Sequence, residues 1–493
     1  MFIKSRQKLF SKASTALLNH PPNTRYNPFD ASFPGTLPQL NKKCVHLALR
    51  AALALDCSVQ SRSSFDRKHY FYSDQPVGYQ ITQHYSPFAL NGRIILPKSE
   101  RSDTAKSTFN PRTKTSYIDL NRAGTGLLEI VTEPDLRSPD EAAEYVRAVQ
   151  SLLRAVGVSD GNMETGSLRC DVNVSINRPG ESPGTRCEIK NLNSVKYMVA
   201  AIKHEIERQK AILESTEGPQ QVQQETRGFD QDRWETFKLR SKEDAPDYRY
   251  MPDPNLGVLV IDEAHVEEAK SSLPALPSET RARLLKQYEG LTSNHVEVLM
   301  NLDADREINY DGDVNGDDPS VMGAVAYFEE LCKPQRNSRV VANWITQNLL
   351  GQLSALELTF PSQHMPPTRF GELIDLVDSG QVTRPTGKLL LKHMLTTEIP
   401  STKSVKEIAE QLDMLLTPST TTIPAASDVS PEDDALHRAC LRAIDVLPSE
   451  IAAIKAGNSN VMNKVIGWVM RETKGKADVK RIRDIINDTI HRK

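Results

Sequence analysis

GSLRCDVNVSI (residues 166–176) and TRCEIKNLNS (residues 185–194) both alternate apolar with polar residues, and the turn-rich segment NRPGESPG joins them. Such alternation on either side of a turn predicts a β-hairpin with one buried face. The apolar face carries Leu168, Cys170, Val172, Val174, Ile176, Cys187 and Ile189. The opposite face carries more charge than a solvent-facing hairpin needs, namely Arg169, Asp171, Arg186, Glu188 and Lys190. This charged face is the first candidate for a functional site.

Length and composition are those of a globular protein with several domains. The 493 residues exceed the size of a single core, and 25% of them are charged. With a net charge of -3 the chain has no global basic excess, so contact with RNA requires a local basic patch. The six cysteines form no C-x-x-C pair, which argues against a zinc site and a disulfide scaffold. The sequence contains no apolar run near the roughly 18 residues that a membrane span needs.

The order of elements predicts an α+β domain followed by helices. Residues 1–264 interleave strands, helices and hairpins, which favours an antiparallel sheet. Residues 265–416 predict an all-helical region. Its apolar-periodic segments lie at 278–301, 319–333, 338–356, 367–380 and 386–395. Residues 417–434, rich in Pro, Ser and Thr, predict a linker, and residues 435–493 predict a small helical tail domain.

Three helices are predicted within the first domain. Apolar positions at helical spacing predict one helix over residues 39–56. Ser138 followed by Pro139 and two acidic residues predicts the start of a second helix. Asn193 or Ser194 is expected to cap a third helix that follows the hairpin.

The charged hairpin face suits nucleotide chemistry that does not use a P-loop. The sequence has no P-loop, G-x-G-x-x-G, H-E-x-x-H or G-x-S-x-G motif. Mg²⁺ prefers oxygen ligands from one or two carboxylates and from phosphates, and Arg and Lys bind the phosphates. The candidate residues are Glu129, Asp171 and Glu188 beside Arg169, Arg186 and Lys190. For any one of them an internal salt bridge is an equally good explanation, but for the whole set it is less satisfactory, because burying many charges without a ligand is costly.

Two further groups of residues each allow two interpretations. The aromatic residues Tyr70, Phe71, Tyr72, Tyr79 and Tyr85 could stack on a nucleobase or pack a small domain, and packing is the commoner outcome. Near the C-terminus, positive charge is concentrated in Lys474, Lys476, Lys480, Arg481 and Arg483. These cations could form a solvated helix face, or a local patch that binds tRNA.

Several long motifs in fixed order resemble the GatB family, the B subunits of glutamyl-tRNA(Gln) amidotransferases. They are DLNRAGTGLLEIVTEPD, GSLRCDVNVSI, TRCEIKNLNS, QETRGFD and DYRYMPDP. Toward the C-terminus, ANWI (342–345), GKLLLK (387–392) and VMNKVIGWVMRETKGKAD (461–478) are also similar to the family, so the resemblance covers almost the whole chain. The related archaeal E subunits carry an inserted domain that is not found here, which favours the B subunit.

The resemblance implies a reaction and a fold. ATP, with Mg²⁺, phosphorylates the γ-carboxylate of glutamate on mischarged Glu-tRNA(Gln), and ammonia attacks the acyl phosphate. The A subunit, a glutaminase, supplies the ammonia, and a small third subunit holds the A and B subunits together. The implied fold of the catalytic domain is an antiparallel-sheet cradle similar to glutamine synthetase and the guanidino kinases. The variant F-D-x-x-F-P-G (29–35) and the linker rich in Pro, Ser and Thr are similar to eukaryotic forms of the family. This similarity implies a location in the mitochondrial matrix.

Carried over onto this chain, the resemblance gives a set of site residues. The catalytic and metal-binding candidates are Glu129, Asp171 and Glu188. The nucleotide- and phosphate-binding candidates are Arg169, Arg186, Lys190 and, as a weaker candidate, Arg249. No general base is assigned for the first step, because the phosphoryl acceptor is already a carboxylate.

Two departures from the family pattern lead to competing interpretations. The family opens with a strand G-[LI]-E-[IV]-H-x-Q-L before K-L-F-S, whereas here only MFIKSRQ precedes KLFS (8–11). LPKSERSDTAKS (96–107) has Arg101 and Ser102 where acids are expected. The preferred hypothesis is an incomplete gene model, in which the basic N-terminus belongs to the family body and is not a presequence. The alternatives are a non-catalytic tRNA-binding scaffold with a degraded ATP site and a free-standing ATP-dependent ligase for a small molecule.

Overall fold

A computed structural model describes most of the chain. The described residues are 1–15, 20–69, 71, 75–94, 121, 123–215, 221–241, 247–304, 322–333, 335–360, 365–397, 403–415, 431–455, 461–473 and 479–491. They divide into two compact units, Met1–Ala282 and Arg283–Asp303 with Ser320–Lys493. The first unit is α+β, as predicted, and from Glu263 onward the described secondary structure is helical. The segment 96–107 and most of the predicted linker 417–434 lie outside the described residues, and the three predicted domain boundaries stay predictions.

The strands of the first unit form four small sheets. The strands are β1 (Ser58–Val59), β2 (Arg62–Ser63), β3 (Asp66–His69), β4 (Tyr79–Thr82), β5 (Ala89–Leu90), β6 (Cys170–Val174), β7 (Cys187–Leu192), β8 (Glu225–Asp230), β9 (Glu235–Ser241), β10 (Met251–Pro252) and β11 (Leu259–Val260). Two pairs, β1–β5 and β11–β2, are separate from a three-stranded sheet in the order β10-β3-β4. The largest sheet has the order β6-β7-β8-β9 and contains the predicted hairpin.

The predicted hairpin is confirmed, but its sheet is mixed and not purely antiparallel. β6 and β7 pair antiparallel, and Val174, Cys187 and Ile189 are buried while Asp171 and Asn173 are exposed. β7 and β8 pair parallel, with Glu188 opposite Thr226, so the prediction of an antiparallel sheet was wrong at this step. The reason is that a long helix connects the two strands, and a crossover of that kind returns the chain in the same direction.

The helices of the first unit begin where the capping signals indicate. They are α1 (Lys42–Ala54), α2 (Pro139–Ala155), α3 (Val195–Glu214) and α4 (Glu263–Ser271), whereas α5 (Pro277–Gln287) begins in this unit and ends in the second. Ser138 Oγ accepts a hydrogen bond from the Glu141 N–H at 3.1 Å, and Ser194 Oγ accepts one from the Lys196 N–H at 3.2 Å. The predicted caps of α2 and α3 are therefore confirmed.

α2 and α3 cover the apolar face of the four-stranded sheet. Val149 and Leu153 of α2 and Met198 of α3 share one buried cluster with Val174 and Ile189 of the hairpin. Each of these side chains is at most 7% exposed. Because one face is covered in this way, the other face of β6 and β7 is left for the polar side chains.

The second unit consists of helices among its described residues. They are α6 (Ser293–Ala304), α7 (Ala324–Cys332), α8 (Ser338–Asn343), α9 (Leu350–Ala355), α10 (Pro367–Asp378), α11 (Arg384–Thr396), α12 (Val405–Gln411), α13 (Pro431–Val446), α14 (Pro448–Lys455), α15 (Met462–Glu472) and α16 (Val479–His491). A π-helical segment, Trp344–Leu349, joins α8 to α9. The segment predicted over 278–301 is divided between α5 and α6 by a turn in which Gly290 has φ 79°.

Two apolar clusters stabilise the second unit. Tyr327, Phe328 and Phe370 are at most 2% exposed and lie in the larger cluster, which α5 to α12 build. Val465 and Ile486 belong to a separate cluster within α13 to α16, the region for which a tail domain stays a prediction. Across the described part of the chain, every helix is too short or too polar to traverse a bilayer.

Candidate active site

Asp171, Lys190 and Glu188 meet on the open face of the β6–β7 hairpin. The Lys190 ammonium lies 3.1 Å from Asp171 Oδ2 and 3.1 Å from Glu188 Oε1. The three side chains are 43%, 30% and 34% exposed in the order Asp171, Lys190 and Glu188. Two carboxylates and one cation are thus held together where a ligand in solution can reach them. We call these three residues the open-face triad.

A β-bulge brings Lys190 next to Asp171. Between the paired positions Cys170–Leu192 and Val172–Ile189 the register shifts, so two residues of β7 lie opposite Asp171. Asn191, the second of them, has φ 58°, a left-handed conformation that Asn tolerates better than most residues. Its backbone N–H donates to Asp171 Oδ1 at 3.0 Å. The bulge therefore fixes the Asp171 carboxylate and also directs the Lys190 side chain toward it.

The triad keeps Lys190 positively charged. Partial burial lowers the pKa of Lys190, but Asp171 and Glu188 raise it by more, through charge and hydrogen bonding, and the net pKa is above its usual value of 10.5. The ammonium is therefore protonated at neutral pH. Asp171 and Glu188 already neutralise this charge, so a phosphate would bind here only together with a further cation such as Mg²⁺.

A polar row extends from the triad across the whole sheet. In register, Asn173 of β6 lies opposite Glu188, Glu188 opposite Thr226 of β8, and Thr226 opposite Arg240 of β9. The Thr226 hydroxyl donates to Glu188 Oε2 at 3.4 Å. The sequence predictions gave Thr226 and Arg240 no role, because the pairing of β7 with β8 depends on a crossover that local patterns do not reveal.

The opposite face of the same sheet contains a second group of charges, and it is buried. Glu205 of α3 has a side chain that is 0% exposed, and Arg227 of β8 has one that is 8% exposed. The Glu205 carboxylate accepts hydrogen bonds from Arg208 Nη2 at 2.7 Å, Gln209 Nε2 at 2.8 Å and Thr236 Oγ1 at 3.2 Å. Arg227 Nε lies 3.2 Å from the same carboxylate. We call these five residues the buried network.

The buried network keeps Glu205 ionised. Burial raises the pKa of Glu205, but hydrogen bonds from Arg208 and Gln209 and the positive charges of Arg208 and Arg227 lower it by more, so the pKa lies below its usual value of 4.5. The four contacts on the Glu205 carboxylate join α3 to β8 or β9, or stay within α3. The network therefore positions α3 on the strands that continue the open face.

Glu129 and Arg169 each lie within electrostatic range of the Met1 amino group. Phe2 pairs antiparallel with Leu127, and the Ile3 N–H donates to the Gly126 carbonyl at 2.8 Å. Burial lowers the pKa of the Met1 amino group, the charges of Cys170 and Glu129 raise it by less, and Arg169 lowers it further. Glu129 and Arg169 therefore both act on this amino group, and both side chains are exposed.

The two other predicted phosphate-binding residues occupy different places. Arg186 is exposed and directly precedes β7, two positions from Glu188, so it lies at the end of the open face. Arg249 directly precedes Tyr250 and β10, in the three-stranded sheet. Its side chain is 83% exposed, and its Nε lies 3.8 Å from Asp247 Oδ2.

The carboxylates of the open face meet only part of what a metal site requires. Among the described residues, no group of three or more His, Cys, Asp or Glu side chains could hold a metal ion. Asp171 and Glu188 nevertheless converge on one cation, and Mg²⁺ commonly uses one or two carboxylates together with phosphate oxygens. The chemistry of these two carboxylates suits Mg²⁺, and the roles of Asp171, Glu188 and Glu129 as its ligands stay predictions.

The predicted tRNA-binding cations are described only in part. Lys474 and Lys476 lie outside the described residues. Lys480, Arg481 and Arg483 belong to α16, where Arg481 is half-buried and Arg483 is exposed. Their role in binding tRNA stays a prediction.

Two family models match the chain. The model for the GatB/GatE catalytic domain matches residues 1–267, which include the open-face triad and the buried network. The model for a further GatB domain matches residues 326–490.

Curated relatives share the whole organisation of the chain. The B subunit of the mitochondrial glutamyl-tRNA(Gln) amidotransferase of Laccaria bicolor is 53% identical over 506 residues, covering 99% of this chain and 90% of the relative. The protein of the same name from Danio rerio is 36% identical, covering 99% of this chain and 87% of the relative. The B subunit of the aspartyl/glutamyl-tRNA(Asn/Gln) amidotransferase of Rickettsia felis is 36% identical, covering 99% and 95%. Together with the catalytic-domain match, these relatives show that the chain belongs to the GatB family.

Proposed function

We propose that this chain acts as the B subunit of a glutamyl-tRNA(Gln) amidotransferase, an ATP-using ligase of mitochondrial protein synthesis. Membership of the family supports the tRNA-dependent amidotransferase role. The observation that carries the assignment to this chain's own residues is the open-face triad, in which Lys190 lies 3.1 Å from each of two accessible carboxylates. The reaction is phosphorylation of the glutamyl γ-carboxylate of Glu-tRNA(Gln), followed by amidation with ammonia.

The open face supplies what a phosphoryl transfer to a carboxylate requires. Such a transfer is catalysed mainly by positioning and by neutralising charge on the transferred group. Lys190 provides a fixed positive charge, and its hydrogen bond to Asp171 holds it in place. The hydrogen bond from Thr226 holds Glu188 in place. The acceptor is already ionised at neutral pH, so no side chain has to remove a proton from it.

Further cations are positioned to bind the remaining negative charge. Arg169 and Arg186 flank the two strands of the open face and are both exposed. Arg249, 83% exposed, could bind a more distant phosphate. Asp171 and Glu188 are the residues that would hold Mg²⁺, which when bound neutralises charge on the phosphate oxygens.

The proposal includes partners and a place in the cell. The implied partners are tRNA(Gln), the glutaminase that forms the A subunit, and a small third subunit, with the cations of α16 contacting the tRNA. The catalytic unit would form the antiparallel-sheet cradle of the glutamine synthetase type, modified by the parallel β7–β8 pair. The names of the Laccaria bicolor and Danio rerio relatives support mitochondria, and we place the protein in the matrix.

The test is transfer of radiolabelled γ-phosphate from ATP to Glu-tRNA(Gln) by the assembled enzyme, with glutamine and ammonia omitted so that the acyl phosphate is not consumed. We expect Glu188→Gln to reduce the transfer rate about 100-fold, the typical cost of losing one electrostatic group at a reacting centre. Glu207→Gln is the matched control, because Glu207 is exposed on α3.

Two outcomes would reject the proposal in different ways. Normal transfer by Glu188→Gln would place the chemistry away from the open face. Failure of the wild-type complex to transfer phosphate, while it still binds tRNA, would favour the alternative of a non-catalytic scaffold.

A further inference from the structure

A group of aromatic rings is exposed beside the three-stranded sheet. The imidazole of His84 and the ring of Tyr250 are stacked, with centroids 3.8 Å apart and planes 9° from parallel. Tyr85 lies edge-on to His84, with centroids 4.9 Å apart. Tyr85 is 62% exposed and His84 is exposed as well. The interpretation that the aromatic residues serve packing does not describe these rings, because packing would bury them.

Hydrogen bonds fix the backbone that carries His84 and Tyr85, and they do so in the absence of a ligand. The carboxylate of Asp66, which is 1% exposed, accepts hydrogen bonds from the His84 N–H at 2.8 Å and the Tyr85 N–H at 3.0 Å. The residue pair Pro252–Asp66 belongs to the β10–β3 ladder, and Tyr250 directly precedes β10, the strand next to Asp66. A rigid arrangement of this kind binds a flat ligand with little loss of conformational freedom.

Positive charge accompanies the rings. The Lys68 ammonium lies 4.4 Å from the centroid of the Tyr248 ring, and the Tyr248 ring lies 6.1 Å from that of Tyr250. Arg249, between these two tyrosines, has a side chain that is 83% exposed. Stacking rings next to exposed cations are the combination with which proteins bind the bases and phosphates of single-stranded nucleic acid.

The charge of a predicted catalytic carboxylate acts on one of the rings. Burial raises the pKa of Tyr250, and the charges of Tyr248 and Glu129 raise it further. Glu129 is therefore within electrostatic range of the Tyr250 hydroxyl.

We propose that His84, Tyr85 and Tyr250 form a stacking platform for the terminal adenine of the aminoacylated tRNA. One face of the His84 ring is covered by Tyr250, so the accessible surface of the imidazole lies on its other side. The amino acid of a charged tRNA is esterified to the ribose of this terminal adenosine, so docking the base positions the ester. The proposal rests on the proposed function in assuming that the substrate is an aminoacylated tRNA.

The openness of the platform favours the RNA over the adenine of ATP. Sites for small molecules usually bury most of the ligand, whereas Tyr85 is 62% exposed. An exposed platform is sufficient for the end of a macromolecule, because other contacts along the tRNA contribute to its affinity.

The experiment measures binding of uncharged tRNA(Gln), with and without its terminal adenosine, to the assembled enzyme. For the wild type we expect loss of the adenosine to weaken binding about tenfold, the typical contribution of one stacked base. His84→Ala should bind the two RNAs equally, and His84→Phe should restore the difference because it restores a ring. Tyr26→Ala, at a residue that is 43% exposed in the same unit, is the matched control and should preserve the difference.

The outcomes separate this inference from the proposed function. Equal loss of affinity for both RNAs in His84→Ala would overturn the platform, as would a raised KM for ATP with the adenosine effect unchanged. If the wild-type complex forms no acyl phosphate but the adenosine effect is present and depends on His84, the proposed reaction fails and the platform stands.

Discussion

The two faces of the four-stranded sheet use the same kinds of charged residue in opposite ways. On the buried face, Glu205 is 0% exposed and is bound by two arginines, one of which, Arg227, is 8% exposed. On the open face, Lys190 is 30% exposed and lies between Asp171 and Glu188, which are 43% and 34% exposed. Residue type alone does not distinguish the two sets.

The difference lies in what completes the hydrogen bonding of each group. A buried charge is tolerated only when protein groups satisfy it, and Glu205 accepts hydrogen bonds from Arg208, Gln209 and Thr236. On the open face one cation is shared by two carboxylates, and water or a ligand can supply the other contacts. We therefore assign stability to the buried network and chemistry to the open-face triad, and the predictions below test that division.

The largest effect is expected from Glu205→Ala. Removing Glu205 leaves Arg208 without its carboxylate and Arg227 with Glu225 alone, and this should lower the free energy of unfolding by about 3–5 kcal/mol. Urea unfolding of the purified chain measures it. Glu207→Ala, exposed on the same helix, is the control and should change stability by less than about 0.5 kcal/mol. Similar values for the two variants would show that the buried network does not stabilise the fold.

The next effect is expected from Lys190→Met, and it concerns activity. The substitution keeps the length of the side chain but removes the charge, so kcat for amidation should fall about 100-fold, and stability should change by less than about 1 kcal/mol. Steady-state kinetics and urea unfolding give the two numbers. Lys203→Met, at an exposed position of α3, should leave both unchanged. Loss of stability without loss of kcat would make the triad a structural salt bridge.

The sequence predicts which face of each strand is buried better than it predicts which strands and side chains pair with one another. Alternation placed Val174 and Ile189 inside and Asp171 outside, because the period of two in a strand is a local property. It did not reveal the parallel pairing of β8, since the crossover through α3 depends on long-range packing. From the sequence alone, Glu205 is one more polar residue of an amphipathic helix. It becomes buried only because β8 and β9 pack against α3, and local patterns do not reveal that packing. The bulge at Asn191 was missed for a similar reason, because it depends on the register with β6.

A third prediction uses pH to distinguish the faces. The pKa of Glu205 in the folded chain lies below its usual value of 4.5, so its contribution to stability is present above that pH and is lost as the pH falls through the folded-state pKa. We expect the free energy of unfolding of the wild type to fall more steeply below pH 4.5 than that of Glu205→Gln. Urea titrations at a series of pH values between neutrality and acid measure the two slopes. Parallel slopes would mean that Glu205 is not held ionised by the network.

The smallest effects are expected at Asn191, and they test whether the open face depends on backbone geometry as well as charge. Asn191 has φ 58°, so Asn191→Ala should cost about 1 kcal/mol of stability, whereas Asn191→Gly should change it by only a few tenths of a kcal/mol. The hydrogen bond to Asp171 comes from the backbone N–H and survives in both variants. Activity should therefore follow conformation: Asn191→Gly should retain kcat, and Asn191→Ala should lose part of it if the bulge shifts Lys190 away from Asp171. Full activity in both variants would show that the charges of the triad are sufficient without the bulge. That result would weaken the division between a buried face that stabilises the fold and an open face that holds reacting groups in precise positions.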